Sequence, residues 1–236
     1  MSSHIFQDRK QAGQLLGQCL RILPADDMKN SLIVALPRGG VPVGYEIAKV
    51  LNAPLETLIV RKIEHPRHDG MAIGAIVENG ICSLYEEDGF GTDISGEIIQ
   101  EMIRKEKNEI TRLAEKYRDG KAHTSLRGKT IILVDDGLES GISARAAAQY
   151  CRSKGARLVI LAVPVCSQKT IAKLQKDVDV LLCLTSPHYF SAVGYSYKDY
   201  HAISDDEVIE ILDRSHCNLG FRAQNSEDPL DQRVPG

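Results

Sequence analysis

Two carboxylates at the end of an apolar run, followed at once by glycines and hydroxyls, form the most chemically suggestive stretch of this sequence. It reads Thr130-Ile-Ile-Leu-Val-Asp-Asp-Gly-Leu-Glu-Ser-Gly-Ile-Ser143. Asp135 and Asp136 accept hydrogen bonds only, so their natural partners are sugar hydroxyls or a divalent cation. Gly137 and Gly141 let backbone N–H groups turn toward a common point, and Ser140 and Ser143 add hydroxyl donors. With Ile142, this loop is sized for one phosphate. A phosphate cradle beside a diol-binding acid pair describes a seat for a sugar phosphate.

A second candidate follows another apolar run, Leu32-Ile-Val-Ala-Leu36. Arg38 offers a forked donor there, and Gly39 and Gly40 leave the backbone bare for close approach, a combination that suits a diphosphate. The bland alternative is an ordinary βα turn. Arg61 and Lys62 follow a third run, 55–60, where they are either solvated or offset the charge of a diphosphate leaving group.

The 130–143 stretch resembles the phosphoribosyl-diphosphate (PRPP) motif of type I phosphoribosyltransferases: an apolar strand, two acids, then a Gly-and-Ser/Thr loop. The resemblance implies that Asp135 and Asp136 hold the ribose hydroxyls and help to place Mg²⁺ through water. It gives Gly137, Ser140, Gly141, Ile142 and Ser143 the 5-phosphate. Arg38, Gly39 and Gly40 inherit the pyrophosphate, and Arg61 and Lys62 join them as candidates on their charge alone. Glu139 departs from most such loops, which carry a small residue there. Hypoxanthine–guanine transferases place an acid at this position to serve the purine ring, so Glu139 joins Asp136 as a catalytic candidate; the alternative is a side chain turned to solvent. The opening Phe6-Gln-Asp-Arg-Lys-Gln-Ala-Gly13 resembles an uncharacterised bacterial subgroup of the same family.

An acid pair after an apolar strand also occurs in receiver domains and other doubly wound folds. Receiver domains carry theirs near the start, whereas this pair lies past mid-chain and the next strand ends Ala162-Val-Pro-Val165 without an acid. The activity implied is transfer of the 5-phosphoribosyl group of PRPP to a nitrogen acceptor, most naturally a nucleobase. A non-catalytic PRPP- or nucleotide-binding regulator on the same fold is the alternative. A sugar-phosphate hydrolase has less support, since no Ser/His/Asp order or metal-ligand cluster stands out.

The elements that must position these residues alternate. Strand patterns at 32–36, 55–60, 131–134, 158–163 and 178–183 are separated by helical patterns at 43–51, 144–154 and 168–176. That order predicts an α/β fold with a doubly wound, mainly parallel sheet flanked by helices. The runs 72–77 and 81–85 around Glu78-Asn-Gly80 predict a hairpin. A polar loop at 63–71 is the candidate lid. A charged amphipathic helix is expected from Thr92 to Tyr117, with a solvated face or a homodimer contact. Asp8 and Ser167 suit helix caps, and Ser204-Asp-Asp-Glu207 matches a capping box opening a helix to Leu212. A single domain is expected over 1–213, with segments 4–23 and 186–212 forming a small hood, and a flexible tail over 214–236. Tyrosines between Tyr189 and Tyr200 either stack an acceptor base or cover the sheet edge.

The formal net charge of −3 advertises neither nucleic acid nor an anionic membrane, and no basic helix or winged segment is evident. No apolar run approaches the ~20 residues of a membrane span. The six cysteines are scattered without a C-x-x-C pair, which suits small buried hydrophobes in a reduced, cytoplasmic protein.

Overall fold

The computed structural model describes residues 5–68, 71–78, 80, 82–84, 94–118 and 124–225. Its frame is a parallel sheet of β1 (Ser31–Ala35), β2 (Leu55–Thr57), β6 (Thr130–Val134), β7 (Leu158–Val165) and β8 (Val180–Thr185), in the order β2-β1-β6-β7-β8. Because β2 is added on one side of β1 and the later strands on the other, the winding reverses between β1 and β6. In an open α/β sheet, that reversal opens a crevice at the carboxyl ends of the two strands.

Strand alternation sorts the core. Ile33, Ala35, Ile132, Val134, Ile160 and Ala162 face one cluster, while Leu32, Val34, Ile131, Leu133, Val159 and Leu161 face the other. Both faces are covered, so β1, β6 and β7 read as continuous apolar runs rather than alternating ones. On the first face lie α1 (Arg9–Leu20), α3 (Gly40–Leu51), α4 (Gly96–Arg118) and α7 (Asp205–Asn225); α5 (Ile142–Ser153) and α6 (Gln168–Leu174) lie on the second. A four-residue helix, α2 (Ala25–Met28), joins α1 to β1. Helices α1 and α3 pack backbone to backbone: a methyl group on Gly13 would come within 2.6 Å of the Val43 carbonyl oxygen.

A second, antiparallel sheet consists of β3 (Val60–Glu64), β4 (Ala72–Val77) and β5 (Cys82–Leu84) in that order. The hairpin expected around 78–80 is therefore present, although Asn79 itself lies outside the described residues. The single strand expected over 55–60 is instead two strands in two sheets. Glu78 causes the break: its buried carboxylate accepts the Ile59 N–H at 3.1 Å and is ion-paired to Arg118 at 2.6 Å. Arg61 and Lys62 thus lie within an antiparallel strand rather than at the end of a parallel one. The expected lid begins inside β3, and its His65 is buried; residues 69–70 lie outside the described region.

Local signals hold at the helix ends. The Asp8 carboxylate accepts the Gln11 N–H at 2.7 Å, and the Ser167 hydroxyl accepts the Thr170 N–H at 3.1 Å. Ser204 and Glu207 exchange reciprocal backbone–side-chain bonds at 2.8 and 3.2 Å, the geometry of a capping box. Helix α7 continues to Asn225, beyond the expected stop near Leu212, so the first part of the expected tail is helical. Residues 226–236 lie outside the described region. Among the described residues, no helix is long and apolar enough to cross a membrane.

Candidate functional site

The loops that follow β1 and β6 meet at the switch point. The Leu36 N–H donates to the Val134 carbonyl at 2.8 Å, continuing the ladder past the strand ends. A methyl group on Gly40 would lie 2.6 Å from the Val134 carbonyl oxygen and 3.0 Å from the Asp135 Cα. At Gly39 it would overlap the Asp136 carboxylate. Only glycines let the two loops come this close. Arg38, Gly39 and Gly40 are thereby brought against Asp135 and Asp136, although nearly a hundred residues separate them in sequence.

The β6 loop runs into α5. Gly141 is the helix N-cap with φ +75°, in the left-handed region, and no side chain caps the helix there. The first N–H groups of a helix have no intrahelical acceptor, so those of Ser143 and Ala144 point outward at a positive helix end. Ile142 N–H has only the distant Ser140 hydroxyl, at 3.5 Å. The loop is fixed from beneath: Thr170 Oγ1 donates to the Glu139 carbonyl at 2.6 Å, and the Leu138 N–H donates to the Val165 carbonyl at 2.9 Å. Gly137 is closed in by Val165 and Val193. The Glu139 and Ser140 residues are exposed, and Ile142 and Ser143 are half-buried. Such an uncapped, hydroxyl-lined turn is suited to an anion.

The two acids have different surroundings. Asp135 is half-buried, and its Oδ1 accepts the Asp136 N–H at 2.9 Å. Burial pushes its carboxyl well above the usual carboxylate range, Asp136's charge adds to this, and Lys62 opposes it. Asp136 is only 8% exposed, and Arg9 Nε reaches its Oδ2 at 2.8 Å. Arg9 also donates to the His201 carbonyl at 2.9 Å, and its guanidinium lies 4.0 Å from the Tyr200 ring centroid. Tyr197 donates its hydroxyl to the Asp136 carbonyl at 2.6 Å and stacks on Tyr200 with ring centroids 5.3 Å apart. Burial and the Asp136 carboxylate push the Tyr200 phenol up to about 12.

Asp136 is thus gripped by the N-terminal helix and by residues 197–201 rather than standing open at the rim, as the sequence suggested. Arg9 was absent from the sequence-derived candidates. Its signal was nonetheless present: it falls in phase with the buried Ala12, Gly13, Leu16 and Leu20 of α1, a charged residue on an apolar stripe.

The cationic candidates divide as well. Arg38 Nη1 lies 3.4 Å from the Ile203 carbonyl, and its Nε lies 3.7 Å from Asp205 Oδ1, with the side chain half-exposed. Neighbours in a strand point to opposite faces. Arg61 turns to α4, where Glu106 takes its Nε at 2.8 Å, while the charge of the exposed Lys62 reaches Asp135. The structure therefore gathers Arg38, Gly39, Gly40, Lys62, Asp135 and the 137–143 loop, and engages Arg61 elsewhere. Of the tyrosines, Tyr197 is buried, and Tyr200 lies against Arg9 with 41% of its surface exposed. Tyr189 and Tyr195 are exposed at a hollow of about 120 Å³ beside Thr185.

The sequence matches the phosphoribosyl transferase domain family over residues 6–199. Two Mycobacterium tuberculosis proteins, from strains CDC 1551 and H37Rv, are each named as a candidate phosphoribosyl transferase. Both are 40% identical over 212 residues, covering 90% of this chain and 47% of theirs, so the chain spans about half the length of these relatives. A crystal structure of a Thermus thermophilus protein is similar with a TM-score of 0.75 at 31% identity, covering 88% of this chain and 97% of that one.

Proposed function

The chain belongs to the phosphoribosyl transferase domain family, and from that premise we propose that it transfers the 5-phosphoribosyl group of PRPP to a nitrogen acceptor, releasing pyrophosphate. The observation that carries this reading is the meeting of the β1 and β6 loops at the switch point, with Gly40 packed against the Asp135 backbone. One loop suits a diphosphate and the other a 5-phosphate, and a half-buried carboxylate lies between them.

In this reading the 137–143 turn and the start of α5 hold the 5-phosphate, and Asp135 accepts hydrogen bonds from the ribose diol. Gly39, Gly40, Arg38 and Lys62 hold the diphosphate and stabilise the charge that grows on it as the C1–O bond breaks. The acceptor nitrogen forms the new bond to C1 and gives up its proton. Glu139, exposed at the mouth of the loop, is the group to receive it. Tyr189 and Tyr195 offer an aromatic surface to a planar acceptor such as a nucleobase.

The donor set also bears on Mg²⁺. Among the described residues, no group of three or more His, Cys, Asp or Glu side chains could hold a metal. One carboxylate, Asp135, fits a Mg²⁺ that keeps several waters and takes its other oxygens from substrate phosphates. Asp136 offers less, since Arg9 engages it. When bound, the ion would neutralise diphosphate oxygens.

The test is pyrophosphate release from PRPP and Mg²⁺ across a panel of purine, pyrimidine, nicotinate and amine acceptors. Turnover with one class supports the transferase. Tight PRPP binding without turnover on any acceptor supports the regulatory alternative instead.

A further inference from the structure

The Arg9–Asp136 pair is enclosed on both sides, with side chains 7% and 11% exposed. The Asp136 carboxylate lies against Gly39, part of the loop that would receive a diphosphate. A bare carboxylate so close to that loop would repel the anion the loop is shaped to hold. Breaking a buried pair by removing one partner leaves an uncompensated charge. Arg9 is held over Asp136 by the His201 carbonyl and the Tyr200 ring, neighbours in one segment distant in sequence from the loop.

We propose that Arg9 is a positioning residue that neutralises Asp136 and pins it beneath the diphosphate loop, leaving Asp135 as the acid that meets the ribose. This rests on the PRPP reading and gives the two adjacent acids separate tasks. Asp136 joins the β6 end to the 193–201 segment through its carbonyl to Tyr197, and to α1 through its carboxylate to Arg9.

The experiment is calorimetric titration of PRPP, and separately of inorganic pyrophosphate, into wild type, Arg9→Gln, Asp136→Asn and the double variant, each checked for folding by thermal melting. Arg9→Gln is expected to weaken both ligands by roughly tenfold, the order set by one uncovered charge near a protein surface. Adding Asp136→Asn to it is expected to restore most of that loss, because the bare charge is gone. A double variant that binds PRPP more weakly than Arg9→Gln alone would overturn the proposal, since that is how a carboxylate gripping ribose behaves. Arg9→Gln binding as tightly as wild type would overturn it too.

Should Arg9→Gln fail to fold, Arg9→Lys carries the test. It keeps the charge and is expected to retain affinity within about threefold, whereas a loss of about tenfold or more refutes charge compensation. Wild type that binds pyrophosphate but not PRPP counts against the phosphoribosyl reading and leaves the pyrophosphate comparison to decide on Arg9. Wild type that binds neither overturns both.

Discussion

Gly39 and Asp136 share one small volume: a side chain of any size on the glycine would occupy the place of the aspartate's carboxylate. Two loops from distant parts of the chain interlock there, and the contact depends on a missing side chain in one and a neutralised charge in the other.

Gly39→Ala is therefore expected to push Asp136 off Arg9 or lift the 37–40 loop. Overpacking of this kind typically costs about 1–3 kcal/mol. Thermal melting should show the loss of stability, and PRPP affinity should fall by more than the same substitution would cause at an open glycine such as Gly96, around which a methyl group would meet nothing. Unchanged melting and binding would mean that the two loops do not interlock.

Asp135 makes the protein's stability depend on pH in the less usual direction. Its carboxyl is held above the ordinary Asp value of 3.8 by burial and then by Asp136. The folded state therefore binds this proton more tightly than the unfolded chain does. That contribution is full below the ordinary value and is lost as pH rises through the folded one. Asp135→Asn should accordingly raise the melting temperature of the ligand-free protein near neutrality, with the advantage shrinking toward pH 3.8. The same variant should lose PRPP affinity. No gain in melting temperature at neutral pH would contradict the assigned environment.

Arg61 and Lys62 separate cleanly by substitution. Arg61→Ala removes a half-exposed ion pair to Glu106, worth about 0–1 kcal/mol of stability, and should leave PRPP affinity close to wild type. Lys62→Ala should weaken PRPP by roughly fivefold, about 1 kcal/mol, and ribose 5-phosphate less. Equal effects of the two substitutions on PRPP titrations would mean that Arg61 leaves Glu106 when the ligand binds.

Gly141→Ala combines two penalties. The residue stands at φ +75°, and its added methyl would meet Thr170 Cγ2 at 2.7 Å. A loss of about 1–3 kcal/mol is expected. Because the start of α5 must move, affinity for ribose 5-phosphate should fall together with that for PRPP. A variant that lost PRPP but kept ribose 5-phosphate would move the 5-phosphate away from this turn.

Legibility in the sequence followed the range of the forces involved. The β6 run, the Gly-and-Ser turn and the Ser204–Glu207 capping box depend on neighbours within a few positions, and the structure has them where the pattern placed them. The parallel sheet followed from the alternation of strands and helices. The break at Leu58 and Ile59 was hidden because its cause, Glu78, lies 19 residues on and looked like part of a turn. Arg9 was hidden for the same reason at greater distance: its partner stands 127 residues away. The aromatic cluster was legible as a group, but its division into an inward pair and an outward pair depends on where Arg9 sits.

The N–H of Phe6 donates to the Ser196 carbonyl at 2.8 Å, and the Phe6 carbonyl accepts the Lys198 N–H at 2.9 Å. On the ribosome, these bonds have to wait. The acid loop leaves the exit tunnel before residue 201 is made, an interval on the order of several seconds. Until then α1 has no strand-like partner at its start, and Arg9 lacks the carbonyl that anchors it. A truncated or stalled nascent chain therefore carries the whole acid motif with Asp136 ungripped, until the late segment returns to meet the first helix.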